Sequence, residues 1–341
     1  MNAMKILLTG GMGYIGSHTA AVLREAGHVP VLYDNLVNAK AQVARHLETI
    51  TGSPVSFVQA DIRDTERLIT VLKSEEISAV IHFAGLKAVG ESMAKPVDYY
   101  ENNVGGTISL LRAMQEVGVK RLVFSSSATV YGEPRYLPLD EAHPLSAVNP
   151  YGRSKLHIEA MLGDLAQSDP DWRVVCLRYF NPVGAHDSGL LGEDPNDIPN
   201  NLMPYIAQVA SGRLPCLQVF GDDYATPDGT GVRDYIHVMD LAHGHAAALR
   251  FLAQHAGWHA FNLGTGQGYS VLEMIQAFQA ASGQRVPYQV VGRRAGDVAS
   301  CYAHVQQAKD CLGWQAHLGL SAMCASTWRF QQNLASPLRA P

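Results

Sequence analysis

The run Lys5 to Thr9 (K-I-L-L-T) passes directly into Gly10-Gly11-Met12-Gly13-Tyr14-Ile15-Gly16-Ser17, and no other stretch constrains the fold as much. A short apolar run closed by glycines reads as a strand, a tight turn and the start of a helix. The glycines fit G-x-G-x-x-G from Gly11 and G-x-x-G-x-x-G at Gly10, Gly13 and Gly16. They permit the turn, let backbone approach a pyrophosphate, and aim a helix N-terminus at it. The adjoining residues support that reading. Ile15, Thr19, Val22, Leu23 and Ala26 make a helical stripe, Gly27 caps it, and Val29 to Tyr33 is a second strand ending at Asp34. A carboxylate there accepts hydrogen bonds from the adenosine ribose hydroxyls and repels a 2′-phosphate, which favours NAD over NADP. The competing reading of Asp34 is a loop cap.

The alternation continues. Val55 to Gln59 leads to Asp61, Ala79 to Phe83 to Ala84-Gly85-Leu86-Lys87, Arg121 to Phe124 to Ser125-Ser126-Ser127, and Val174 to Leu177 to Arg178-Tyr179-Phe180-Asn181-Pro182. Apolar, β-branched runs ending in small or polar residues, with helical segments between, describe a doubly wound parallel sheet whose strand C-termini line the site. Asp61 either holds the adenine amino group or caps a turn; the sequence leaves the two open. Ser127 is placed to share a proton with a hydroxyl, or is a buried serine bonded to backbone.

Tyr151-Gly152-Arg153-Ser154-Lys155 puts a phenol and an ammonium one helical turn apart on the same face. A lysine charge at ~4 Å is worth about 4 kcal/mol at an effective dielectric of 20, enough to bring a phenol pKa of about 10 toward neutrality. Tyr151 with Lys155 therefore reads as a general base. The helix carrying them is marked by Asn149 as N-cap, Pro150 at the first position, and Leu156, Ile158, Met161, Leu162 and Leu165 as its apolar side.

Composition bounds the partners. The 341 residues carry a net charge of −5 with no basic run, which argues against nucleic acid and leaves anionic ligands to local arginines. Five cysteines in no metal-like or C-x-x-C spacing read as reduced thiols, hence a cytoplasmic protein. No signal peptide, membrane span or metal site is expected; the histidines of His243-Gly244-His245 are two apart on a helix and face different ways. His82 and His237 read as packed, hydrogen-bonded histidines, and Ser270-Val271-Leu272-Glu273 as a capping box.

Several stretches together carry a resemblance: Gly10 to Ser17, Phe83 to Ser92, Ser125 to Gly132 (S-S-S-A-T-V-Y-G), Tyr151-x-x-x-Lys155, Arg178 to His186 (R-Y-F-N-P-V-G-A-H), Pro199 to Tyr205, Gly229 to Asp240 and Phe261 to Gly264. They closely resemble the extended short-chain dehydrogenase/reductase family, and within it the branch that epimerises UDP-hexoses at C4. The match weakens only beyond about residue 310 and departs at Ala295, where that branch usually has Glu. The resemblance implies an α/β fold: a Rossmann-type doubly wound parallel sheet with a smaller mixed α/β substrate-binding domain. The first domain spans 1–180 and the second 181–341, with a segment near 235–265 returning to the first.

By the same resemblance, NAD is met by Gly10, Gly13, Tyr14, Ile15, Gly16, Asp34, Asn35, Asp61, Ile62, Phe83, Ala84, Gly85, Lys87, Asn102, Ser125, Tyr151, Lys155 and Tyr179. Ser127, Tyr151, Phe180, Asn181, Asn201, Leu202, Phe220, Arg233, Tyr235, Arg294, Asp297 and Cys301 surround a UDP-hexose, with Arg233 and Arg294 as diphosphate clamps. Tyr151 takes the proton of the sugar 4-hydroxyl while C4 gives a hydride to NAD, and the 4-keto sugar turns over before reduction from its other face. Cys301 stands where a tyrosine restricts this branch to glucose and galactose, so UDP-N-acetylhexosamines are expected substrates too. The resemblance also implies a homodimer built by a helix bundle. Two rivals are weighed. A sugar-nucleotide 4,6-dehydratase needs an acid and a base where this chain has Ala128 and Thr129, and a non-enzymatic NAD-sensing regulator has no need of the Ser127, Tyr151 and Lys155 set.

Overall fold

The first apolar run forms β1 (Lys5–Thr9), inside a seven-stranded sheet, in a computed structural model that describes residues 3–195, 199–294 and 296–335. Its companions are β2 (Val29–Asp34), β3 (Ser56–Gln59), β4 (Ala79–His82), β5 (Arg121–Ser127), β6 (Arg173–Tyr179) and, later in the chain, β10 (Gly257–Leu263). The order is β10-β6-β5-β4-β1-β2-β3, and every neighbouring pair is parallel. The chain winds outward from β1 through β2 to β3, then crosses back to β4 on the other side. That reversal opens a crevice at the strand C-termini between β1 and β4, where open parallel sheets take ligands.

The two-residue strand period sorts the core. Ile6 and Leu8 join Leu32, Ile81, Val123 and Val175 on one face, with Leu23 of the helix Tyr14–Glu25 and Leu241 and Leu249 of the helix Val238–Leu252. Leu7 joins Val31, Val80, Leu122, Phe124 and Val174 on the other, with Leu110 and Met114 of the helix Gly106–Val117 and Ile158 and Leu162 of the helix Pro150–Ser168. Because both faces are covered, the strands read as unbroken apolar runs rather than alternating ones. Leu7→Ala would cost roughly 2–5 kcal/mol from such a site.

The helix Pro150–Ser168 starts as its sequence requires, with Asn149 Oδ1 accepting from Gly152 N at 2.8 Å. Its buried face is not the plain apolar stripe expected. Ser154, Lys155 and Glu159 are buried on it, whereas Leu156, Met161 and Leu165 are half-buried. The chain leaves the main sheet at β7 (Asn181–Val183), which pairs with β9 (Val232–His237). β11 (Gly268–Ser270) and β13 (Ser300–Cys301) flank β9, and β8 (Leu217–Phe220) pairs with β12 (Tyr288–Val291). Met203, Ile206, Met274, Phe278 and Met323 make a separate core there. The helix Val271–Ser282 opens on the Ser270/Glu273 capping box.

Candidate active site

Close backbone approach builds the turn after β1. Gly10 has φ +69°, and a Cβ there would lie 2.7 Å from Ala84 N; one on Gly16 would lie 2.4 Å from the Gly10 carbonyl oxygen. Gly13 N donates to Gly10 O at 3.1 Å, and the helix Tyr14–Glu25 begins with no side-chain cap. Its first N–H groups are therefore available to an anion. Asp34, at the end of β2, accepts from Met12 N at 3.1 Å and from Leu36 N at 2.8 Å, so the carboxylate ties the turn to its neighbouring strand. Burial raises its pKa while those two bonds pull it back.

A cleft of about 850 Å³ runs along these strand ends. Gly10, Gly13, Tyr14, Ile15, Gly16, Asp34, Asn35, Ile62, Phe83, Ala84, Gly85, Lys87, Asn102, Ser125 and Tyr179 line it, with Ser127, Tyr151, Lys155, Phe180, Asn181 and Asn201. Asp61 lies between the lining residues Ala60 and Ile62. Its oxygens take Arg63 Nε at 2.9 Å, Arg63 Nη2 at 3.0 Å and Asn35 Nδ2 at 3.2 Å, and the Arg63 bond holds its pKa at about 2.

The three serines that end β5 meet one face of the Tyr151 helix, where residues 151, 155 and 159 stand one turn apart. The Ser125 carbonyl accepts from Lys155 Nζ at 2.7 Å, and Ser126 Oγ donates to Glu159. Ser127 Oγ accepts from Thr129 N at 3.2 Å and Thr129 Oγ1 at 3.0 Å, leaving its own O–H to donate toward Tyr151. Glu159 is in turn bound by Arg178, Nη2 to Oε2 2.7 Å, both almost fully buried. Lys155 Nζ sits 4.8 Å from the centroid of the Phe124 ring and 5.9 Å from that of Tyr151. Burial lowers its pKa to about 8, against the opposing pull of Glu159 and Cys176.

The phenol departs from expectation. Burial raises the Tyr151 pKa; the Ser127 hydroxyl and then the Lys87 ammonium draw it back. Helical spacing does bring Lys155 beside the ring, with its ammonium donating to the Ser125 carbonyl, and the Lys87 ammonium from the segment after β4 also draws the phenol pKa down.

The remaining expected residues gather around β9. Arg233 and Tyr235 lie on β9, and Cys301 on β13 is the Cα partner of Arg233. Arg233 Nη2 is 3.8 Å from Asp297, and the Arg294 guanidinium lies 4.3 Å over the Phe220 ring, at the end of β8. Leu202 opens the helix Leu202–Ala210. The β7–β9 pairing sets Asn181 opposite Tyr235, and Cys301 packs on the cluster that holds Phe180, which joins this group to the cleft. Ala295 lies outside the described residues. Among the described residues no three His, Cys, Asp or Glu side chains could hold a metal ion. His245 instead bonds the Tyr179 hydroxyl and the Leu241 carbonyl, and His82 bonds Thr9 and Thr107.

Sequence reasoning missed two groups. Glu193 accepts from both Lys87 and Asn201. Asn103 accepts from Leu86 N at 2.8 Å and donates to Ser154 Oγ at 3.1 Å, inside the π-helical turn Tyr100–Gly105. That wide turn carries Asn102 to the cleft, a common use of π-bulges. Gly192-Glu193-Asp194-Pro195 has no periodicity, so nothing local flagged it.

The model of the NAD dependent epimerase/dehydratase family matches residues 6–264. The chain belongs to this family. It is 58% identical over 335 residues to the UDP-glucose 4-epimerase of Mus musculus, covering 96% of each chain. Its fold is similar to the crystal structure of UDP-glucose-4-epimerase from Stenotrophomonas maltophila with bound NAD and formylated UDP-arabinopyranose, with TM-score 0.96 and 52% identity over 97% of this chain and 99% of that one. It is also similar to the Bifidobacterium longum UDP-glucose 4-epimerase in complex with NAD+ and UDP, with TM-score 0.94 and 51% identity over 96% and 98%. As a member of the NAD dependent epimerase/dehydratase family the chain takes NAD, and its residues fit that group. A Cβ at Gly10, Gly11 or Gly16 would run into backbone of the turn and of its neighbours, and Asp34 stands at the end of β2.

Proposed function

We infer that this chain interconverts UDP-glucose and UDP-galactose by inverting C4 through a 4-keto sugar. The observation that carries the reading is one cleft lined by Tyr151, Lys155 and Ser127 together with the glycine turn and Asp34. NAD, when bound, supplies a reversible hydride acceptor. The protein does the rest. Tyr151 Oη takes the proton of the sugar 4-hydroxyl and later returns it, Ser127 donates toward that oxygen as charge develops, and Lys155 keeps a positive charge beside the ring. Arg233 and Arg294 anchor the diphosphate, with Asn181, Leu202, Phe220, Tyr235 and Asp297 around the nucleotide, so the freed keto sugar can turn without leaving. Gly10, Gly13, Gly16 and Asp34 hold the dinucleotide. The dehydratase alternative is disfavoured because Ala128 and Thr129 offer no carboxyl group beside Ser127.

Incubation with UDP-galactose, without and then with added NAD, tests this by NMR. The expected product is UDP-glucose, approaching a fixed ratio from either side. Unchanged substrate on a protein that has bound NAD, or a 4-keto-6-deoxy product, would sink the reading.

The second reading concerns scope. Cys301 packs on the cluster that holds Phe180, and we propose that a side chain this small there leaves room for the N-acetylhexosamine pair as well. Cys301→Tyr should abolish turnover of that pair while sparing the hexoses; undiminished N-acetyl turnover by the variant contradicts it. We propose two domains, 1–180 and 181–341, with the segment 235–265 returning to the first. The chain is further proposed to be a cytoplasmic homodimer. Exposed Val89, Met93, Val97 and Ile108 give the apolar surface that a second copy would cover, and sedimentation as a monomer at micromolar concentration would refute the dimer. Among the described residues no helix is long and apolar enough to cross a membrane.

A further inference from the structure

A buried ion pair lies directly behind the reactive end of the helix Pro150–Ser168. Tyr151, Lys155 and Glu159 follow one another at single turns on the face that meets β5 and β6. Glu159 accepts from the Ser126 hydroxyl on β5 and from the Arg178 guanidinium on β6, Nε to Oε1 at 3.1 Å and Nη2 to Oε2 at 2.7 Å. Ser126 and Arg178 are Cα partners across the two strands, and the Arg178 and Glu159 side chains are only 2% and 3% exposed. Arg178 Nη1 donates further to Tyr131 Oη at 3.1 Å and to the Glu141 carbonyl at 3.3 Å, so the guanidinium is fixed from three sides. Ser126 stands between the two residues of β5 that serve the site. The Ser125 carbonyl takes Lys155 Nζ at 2.7 Å, and the Ser127 hydroxyl donates toward Tyr151. A bond that fixes Ser126 therefore steadies both.

The same carboxylate acts on the lysine by charge. The titratable groups that face the Lys155 ammonium are Tyr151 and Glu159 on its own helix, His82 on β4 and Cys176 on β6. Burial lowers the His82 pKa to about 3 and pushes the Cys176 thiol well above its ordinary value, so both are neutral around pH 7. Of these groups Glu159 is then the one that supplies negative charge, against a burial that disfavours the ammonium. Resting on the epimerase reading, we propose that Glu159 is a positioning residue that pins the Ser125–Ser127 strand end through Ser126 and sets a counter-charge behind the Lys155 ammonium. Without that charge Lys155 should lose its proton at lower pH, and less of the protein would keep a cation beside the phenol.

Two variants separate the charge from the hydrogen bond. Glu159→Gln is nearly isosteric and removes the charge. With lysine isotope-labelled at Cε, and Lys155 assigned by its loss in Lys155→Met, the NMR titration midpoint of Lys155 should fall by roughly half a pH unit or more in Glu159→Gln. That change leaves Arg178 buried without its partner, which burdens the fold. Should the variant not fold, Glu159→Gln with Arg178→Met leaves no lone buried charge and must shift the midpoint the same way. Ser126→Ala breaks the bond and keeps the charge. Its Lys155 midpoint should match the wild type, while kcat for UDP-galactose falls about three- to thirtyfold and KM changes little. A Lys155 midpoint that stays or rises without the Glu159 charge, or Ser126→Ala turning over like the wild type, overturns the proposal. If the wild type leaves UDP-galactose unchanged while the midpoint still falls in Glu159→Gln, the epimerase reading fails and the counter-charge role of Glu159 stands.

Discussion

Alanine placed at successive glycines should separate the cofactor cradle from ordinary turns. At Gly16 a Cβ would lie 2.4 Å from the Gly10 carbonyl oxygen and 2.8 Å from Gly11 Cα, both backbone atoms of the turn itself. Carbon contacts settle at roughly 3.5–4.0 Å, so these atoms must move by about an ångström. Overpacking of that kind costs ~1–3 kcal/mol, and it falls on the N–H groups that would receive the pyrophosphate. NAD binding should weaken about 10- to 100-fold, since 1.4 kcal/mol is a factor of ten. At Gly13 the only neighbour is the Gly10 carbonyl oxygen at 3.2 Å, so a shift of a few tenths suffices and the loss should be smaller. Gly27 has open space around it but φ +80°, so its alanine costs about 1–2 kcal/mol of global stability through backbone strain alone. Calorimetric titration with NAD and urea melts on the three variants test the order. Gly16→Ala binding NAD like the wild type, or Gly27→Ala losing as much affinity as Gly16→Ala, would refute the cradle.

Two other perturbations bear on the phenol and on the buried histidines. Tyr151→Phe keeps the ring packed, so melting temperature and NAD binding should change little while kcat falls by ~10²–10⁴; near wild-type turnover would remove Tyr151 from the chemistry. His245 is buried and neutral with its pKa lowered to about 4, and His82 to about 3, both by burial. Their unfolded values are about 6.5, so below that pH the unfolded chain binds more protons. The stability each contributes is complete above about 6.5 and is lost as the pH falls toward the folded value, at up to ~1.4 kcal/mol per pH unit per histidine. Urea melts of His245→Gln between pH 6.5 and 5 should show a shallower pH slope than the wild type; equal slopes would show that His245 already titrates in the folded protein.

Local periodicity made the frame of this molecule legible. The glycine turn, the apolar strands buried on both faces, the Asn149 cap and the Ser270/Glu273 box each depend on residues within one or two turns of each other, and all are present. The Tyr151/Lys155 pair was legible for the same reason, and its surroundings were not. The Ser125 carbonyl that takes the Lys155 ammonium comes from another element, and Glu193 reaches Lys87 across 106 positions of chain. No local signal encodes such contacts. The helix Pro150–Ser168 departs from a simple apolar stripe because burial there is divided between Ile158 and Leu162 on the sheet and the polar trio Ser154, Lys155 and Glu159, whose cost is met by hydrogen bonds from β5, β6 and Asn103. The residues around β9 were placed by resemblance alone, because strands as short as Asn181–Val183 and Ser300–Cys301 carry no period that could be read.

The central claim is that C4 is oxidised and then reduced by the same hydride within a single residence of the sugar. UDP-galactose carrying deuterium at C4, incubated with the protein in ordinary water and followed by proton and deuterium NMR, tests it directly. The expected product is UDP-glucose with the deuterium retained at C4. Product with the label washed out, or no epimer while NAD is bound, would contradict it.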